Sequence, residues 1–194
     1  MNYILDFNNK NFPDFRDVHT LAFDFDGIFT NNKVYIDQEG KESVRCDRAD
    51  GLAFDLLRSF VRKKDWDLKF FIISKETNPV VIARAKKLKI DCHHSIDNKL
   101  IFLKNYLKTR FKENIDSSKG LIYLGNDLND LASIRYSGFS VAPSDSHFSI
   151  LKEADVILDQ KGGEGFIRAF IEQLIFTDIC EPQEAFTDKL FKLI

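Results

Sequence analysis

Short apolar runs alternate with amphipathic segments along this chain. "TLAFDF" (20–25), "LKFFIIS" (68–74) and "GLIYLG" (120–125) read as buried strands, and "FSVAP" (139–143) and "ADVILD" (154–159) as shorter ones. Between them lie segments with helical spacing. Residues 50–64 place Leu52, Ala53, Leu56, Leu57 and Phe60 on one stripe. Pro79 opens a helix over 79–88, and 97–111 forms another with Asp97 as its cap. Further helices cover 129–138, closed by Gly138, and 163–176. "KVYID" (33–37) and "KESVRC" (41–46) instead read as a hairpin turning at Gly40. Strands alternating with helices imply βαβ units around a mainly parallel sheet, an α/β fold. One domain over 20–175 follows, flanked by an extension (1–19) and an amphipathic tail (176–194) suited to dock on this chain or a neighbour.

Composition narrows the function. The 194 residues are 44% hydrophobic, ample for one core, and 19 are phenylalanine. A formal charge of −2 gives no basic excess, which argues against nucleic acid as the main partner. Cys46, Cys92 and Cys180 are odd in number and widely spaced, so a disulfide framework is not expected and a reducing cytoplasm is the default. The first residues carry no signal-peptide pattern, and no run is long and apolar enough to predict a membrane span.

In parallel sheets ligands bind beyond the carboxyl ends of the strands. The sequence puts polar residues at three such ends. In "FDFDGIFT", Asp24 and Asp26 are two apart on an extended chain and point the same way, with Gly27 permitting a sharp turn. A hard divalent cation such as Mg²⁺ would offset the repulsion between such carboxylates. A calcium loop also reads D-x-D-G but needs Glu at its twelfth position, which here is Tyr35. Ser74 ends the second strand, where a hydroxyl could bind a phosphate oxygen or simply cap a helix. Lys99 falls near a helix start, a place the helix dipole disfavours unless an anion is close; a solvated lysine is the plain alternative. "LGNDLND" supplies Asn126 and Asp127 at the third end, either metal ligands or caps, with Leu128 and Leu131 expected to face the core. Together these residues point to Mg²⁺-dependent phosphoryl transfer.

At these motifs the chain resembles the haloacid dehalogenase (HAD) superfamily of phosphatases over about residues 20–175. "RADGLAFDLL", "GNDLNDL" and "GGEGFIR" resemble its subclass without a separate cap domain. That group includes 3-deoxy-manno-octulosonate 8-phosphate phosphatases, sialic-type 9-phosphate phosphatases and cytidylyltransferase-linked domains. The resemblance implies a Rossmann-like doubly wound sheet with a hairpin insertion at 33–46. It implies Asp24 as nucleophile, Asp26 as general acid and then base, and Ser74 and Lys99 as phosphate-binding residues. Mg²⁺ would be held by Asp24, Asp26, Asn126 and Asp127, with Gly27 and Asp130 in support. It further implies a small sugar-phosphate substrate, a homotetramer built through the hairpin, and association with a cytidylyltransferase.

Three departures from the octulosonate pattern shift the expected substrate. "GND" stands where "GDD" is usual, so Asn126 brings an uncharged oxygen to the metal. Lys75-Glu76 replaces Gly-Arg, and Glu76 with Lys87 resembles the sialic-type enzymes. Lys87 nevertheless lies in the basic run "KKLK", ordinarily a solvated face. Eleven residues on one helix would separate Glu76 and Lys87 by ~16 Å, too far to pair. "RADG" places Arg48 and Asp50 as in the cytidylyltransferase-linked type. Glu76, Lys87 and Arg48 are the expected selectivity residues, and the expected activity is hydrolysis of an acidic keto-sugar phosphate, a nonulosonate 9-phosphate before octulosonate 8-phosphate. The rival is a non-catalytic domain that assembles a tetramer or supports a cytidylyltransferase, for which Asn126 is the argument.

Overall fold

The computed structural model describes residues 4–5, 11–111, 116–176 and 192. Among these, seven strands form one sheet. The central strand is β2 (Thr20–Phe23), paired in parallel with β5 (Lys69–Ile73) on one side and β7 (Leu121–Leu124) on the other. Beyond them β6 (Asp91–His93), β8 (Phe139–Pro143) and β9 (Val156–Leu158) continue the parallel sheet. β1 (Ile4–Leu5) adds an antiparallel edge on β9. The expected strands are present. β1 and β6 were not read from the sequence: one is two residues long, and the other is a polar tripeptide, Asp-Cys-His, without alternation. The expected tail lies almost wholly outside the described residues, as does Cys180. Cys46 and Cys92 are free thiols.

Period-two alternation explains the unbroken apolar runs. Leu21 and Phe23 of β2 face one core, with Ile122 and Leu124 of β7; Ala22, Leu121 and Tyr123 face the other. The first core is closed by α1 (Ala49–Lys64), α2 (Val80–Leu88) and α6 (Phe166–Phe176). The second is closed by α3 (Lys99–Arg110), α4 (Leu131–Tyr136) and α5 (Phe148–Glu153). α5, only six residues long, had no legible period in the sequence. On α1 the stripe is buried except Leu52. The cap of α3 is Asn98, whose side chain accepts from Ile101 N; Asp97, the expected cap, is one residue too early and exposed. Gly138 lies past the cap of α4 at Ser137 without a left-handed φ. Its role is close packing, since a Cβ there would overlap the Lys119 backbone.

The abundant phenylalanines have a job in this core. Phe25 stacks on Phe29 (5.8 Å), Phe29 on Phe54 (6.1 Å), and Phe23 meets Phe54 and Phe170 edge-on. Phe23 and Phe25 flank Asp24, so this cluster fixes the chain where it leaves β2. The hairpin stands apart as a separate two-stranded sheet, β3 (Thr30–Ile36) and β4 (Glu42–Cys46), with a register shift between Thr30 and Val34. Val34, Tyr35 and Ile36 are 53%, 61% and 63% exposed. Among the described residues no helix is long and apolar enough to cross a membrane.

Candidate active site

The carboxyl ends of β2, β5 and β7 converge on a pocket of about 370 Å³ lined by Asp24, Asp26, Ser74, Lys75, Glu76 and Asn129. Asp24 is buried directly after β2. Its Oδ1 accepts from Phe25 N (2.7 Å) and from Lys99 Nζ (2.6 Å), while its Oδ2 has no partner among the described residues. Lys99 is buried too, although it stands on the first turn of α3. Its ammonium also bonds Asp130 Oδ1 at 2.7 Å. The anion expected near this helix start is therefore supplied by the chain itself, twice over.

Asp130 is the hub beneath the pocket. Besides Lys99, it accepts from Tyr123 OH (2.6 Å), Asn126 N (2.9 Å) and Asp127 N (3.2 Å). Asp127 is turned outward instead. It is exposed, its Oδ1 accepts from Leu128 N, and it caps the short 3-10 turn Leu128–Asp130. In "LGNDLND" the second aspartate thus faces inward and the first is the cap. Leu128 also departs from expectation: it is exposed, because the turn points it away from the core that half-buries Leu131.

Asn126 is buried and its backbone carbonyl accepts from His147 N (2.8 Å). Its side-chain amide has no hydrogen-bond partner among the described residues and lies against Gly27. Gly27 has φ +75, and a Cβ there would overlap that amide, so both conformation and space require glycine. "GGEG" explains itself in the same way. A Cβ on Gly162 would overlap Gly27 O, and Gly163 N donates to Ile28 O (3.1 Å), so this segment buttresses the turn carrying Asp26.

Charge and burial shape the acid–base properties. Burial raises the Asp24 carboxyl well above its usual range and the Asp130 charge adds to that, while Lys99 and the Phe25 N–H pull it back. Burial likewise raises Asp26, followed by the Glu76 charge, with Lys99 opposing and Glu42 adding. Burial alone would lower Lys99, but Asp24 and Asp130 outweigh it and hold the ammonium above its usual value. One ammonium thus serves two buried carboxylates. Among the described residues no three His, Cys, Asp or Glu side chains group as a metal cage. The donors available are the carboxylates of Asp24 and Asp26 in the lining and the Asn126 amide against Gly27, which has no partner among the described residues. All are hard oxygens, and the excess negative charge favours a cation, so the residues present fit Mg²⁺.

Ser74 is buried at the end of β5 and its Oγ accepts from Glu76 N (3.0 Å), so it caps the turn while lining the pocket. Glu76 lines the pocket, but its Oε1 is held by Thr77 N (2.7 Å) and Asn78 N (2.9 Å). Lys87 sits in the last turn of α2, exposed, about 10 Å along the helix from its first residue. Arg48 is exposed at the start of α1. Neither lines the pocket. The basic residue of α2 that reaches toward the hairpin base is Arg84, which donates to Asp47 O and Asp50 Oδ2 (3.0 Å). A second tie joins Asn78 to Glu42 of β4 (2.8 Å). Sequence reading missed Tyr123, hidden in an apolar run, and the Arg84 and Asn78 ties, whose partners lie 34 to 37 residues away.

No family model matches this chain. N-acylneuraminate cytidylyltransferase A of Danio rerio is 26% identical over 162 residues, which is 81% of this chain but only 35% of that protein's length. A solved structure from Streptomyces avermitilis, assigned to the HAD hydrolase family, is 36% identical with a TM-score of 0.73, covering 85% of this chain and 88% of the other. The 3-deoxy-D-manno-octulosonate 8-phosphate phosphatase of Moraxella catarrhalis, solved with magnesium, phosphate and KDO, is 25% identical with a TM-score of 0.76. That match covers 93% of this chain and 96% of the other.

Proposed function

Since this chain belongs to the HAD superfamily and is a phosphoric monoester hydrolase, we propose that it hydrolyses the phosphate ester of an acidic keto-sugar, a nonulosonate 9-phosphate in preference to octulosonate 8-phosphate. The observation that carries the reading is Lys99, buried between Asp24 and Asp130 beneath a pocket lined by Asp26 and Ser74. A structural domain has no need to bury two carboxylates around one ammonium at its strand ends, since breaking even with such a cluster is hard.

Position supports the following roles. Asp24 Oδ2, the oxygen without a partner, attacks phosphorus and forms an aspartyl-phosphate as the sugar oxygen leaves. Asp26, whose carboxyl is raised by burial and then by the Glu76 charge, protonates that oxygen and then takes a proton from the water that attacks the aspartyl-phosphate. The Ser74 hydroxyl and the Lys99 ammonium hold the phosphoryl oxygens. Asp24, Asp26 and Asn126 would hold Mg²⁺, which supplies charge stabilisation for the transferring phosphoryl group. Asp127 is exposed and its Oδ1 accepts from Leu128 N, which supports a capping role before a metal one.

The preference for a nonulosonate is supported by "GND" and by the resemblance to the cytidylyltransferase of Danio rerio. Octulosonate 8-phosphate is the second reading, supported by the resemblance to the Moraxella phosphatase. The exposed Val34, Tyr35 and Ile36 support a homotetramer built through the hairpin, and a cytidylyltransferase is the proposed partner enzyme. A panel of purified sugar phosphates tests the substrate. The highest kcat/KM is expected for a nonulosonate 9-phosphate, and a higher value for octulosonate 8-phosphate would reverse the order.

A further inference from the structure

We propose that Lys75 is a specificity-determining residue that receives the carboxylate of an acidic sugar at the mouth of the pocket. The inference rests on the phosphatase reading above and names the group that selects the acidic substrate class.

The charge of the lining is the first observation. Three of the six lining residues, Asp24, Asp26 and Glu76, are carboxylates, and Lys75 is the one cation among them. A phosphate ester that also carries a carboxylate meets repulsion from Glu76 in the wall. Lys75 is the side chain in the lining able to offset it.

Depth separates its role from that of Lys99. Asp24 and Ser74 are 3% and 1% exposed and form the floor that the phosphoryl group must reach. Lys99 is buried beside them. Lys75 is exposed at the rim, where the leaving part of the substrate remains while its phosphate sits on Asp24.

Its backbone is held while its side chain is uncommitted. Ser74 O accepts from Ile96 N (3.0 Å), Glu76 O accepts from Ser95 N (3.1 Å), and Ser74 Oγ accepts from Glu76 N (3.0 Å). The tripeptide is therefore fastened on both sides of Lys75. Glu76 spends its Oε1 on the turn. The Lys75 ammonium makes no ion pair or hydrogen bond among the described residues, so it can donate to a ligand without breaking an internal contact.

Steady-state kinetics on wild type, Lys75→Met and Lys75→Arg test this with paired esters. One is whichever of N-acylneuraminate 9-phosphate and octulosonate 8-phosphate the wild type uses better; the other is glucose 6-phosphate, which has no carboxylate. Lys75→Met is expected to lower kcat/KM about tenfold for the acidic ester, mainly through KM, as for loss of a charge-assisted hydrogen bond. The ester without a carboxylate should change less than about twofold, and Lys75→Arg should restore most of the loss. Equal losses on both esters would place Lys75 on the phosphoryl group and overturn the inference. So would no loss on either, or a wild type that hydrolyses glucose 6-phosphate but neither acidic ester. A wild type inactive on every ester would overturn the phosphatase reading, and this inference with it.

Discussion

The pocket floor, gathered from distant parts of the chain, and the hairpin that follows Asp24 are built on opposite terms. At the floor Asp24, Lys99, Asp130 and Tyr123 are all buried and bonded to one another. Each member fixes the next, and the geometry is complete within one chain. The hairpin is paired only to itself as a sheet, exposes Val34, Tyr35 and Ile36, and is tied back by Glu42–Asn78, while Arg84 holds its base at Asp47 and Asp50. Chemistry needs the first kind of order, in which charges are desolvated and held before substrate arrives. Selection among substrates tolerates the second, where a partner or ligand can complete the surface.

Breaking the floor should be costly in both stability and rate. Lys99→Met leaves Asp24 and Asp130 buried without a cation, and a loss of about 3–5 kcal/mol in denaturant unfolding is expected. A fall in kcat of roughly a thousandfold should accompany it. If stability holds within ~1 kcal/mol, the floor is not the ionic keystone described.

The hairpin base is expected to respond to pH through Asp50. Burial raises Asp50 to about 7, with Arg84 opposing the rise, from an ordinary value of 3.8. A folded carboxyl that keeps its proton longer contributes stability below the unfolded pKa, and that contribution is lost as pH rises toward 7. Asp50→Asn should therefore show a smaller decline in Tm than wild type between about pH 4 and 7. Parallel Tm profiles would remove Asp50 as the titrating group.

Tyr123→Phe removes one of two side-chain donors to Asp130 Oδ1 and should cost about 1–2 kcal/mol, with a smaller fall in kcat than Lys99→Met. At the far end of the scale, Ile36→Lys should change unfolding free energy by less than ~0.5 kcal/mol. Its effect should appear in light scattering, as a smaller particle than wild type. A monomeric wild type would end the tetramer proposal.

The same contrast governs what could be read from sequence. Strands and long helices were legible because burial on both sheet faces writes unbroken apolar runs, and one-sided burial writes helical spacing. Asp24, Asp26 and Ser74 were legible as pocket positions because strand ends are, and Lys99 because a lysine at a helix start asks for an anion. The direction of "LGNDLND" was not: both aspartates are good caps, and only the fold shows that Asp130 turns in toward Lys99, 31 residues away in sequence. Tyr123 was invisible because its hydroxyl rides on a side chain that reads as apolar. Glu76 was read as a selectivity residue, while local backbone N–H groups claim one of its oxygens. Lys75 beside it stood out only as part of the change from Gly-Arg, because an exposed lysine looks alike on any surface.

The central claim is that Asp24 attacks phosphorus in a site that needs Mg²⁺. Phosphate release from a generic phosphate ester, followed for wild type and Asp24→Asn with Mg²⁺ and again with a chelator, tests it most directly. The account predicts Mg²⁺-dependent turnover in wild type and a loss of at least ~10³-fold in Asp24→Asn. An inactive wild type, or equal turnover in the variant, would contradict it.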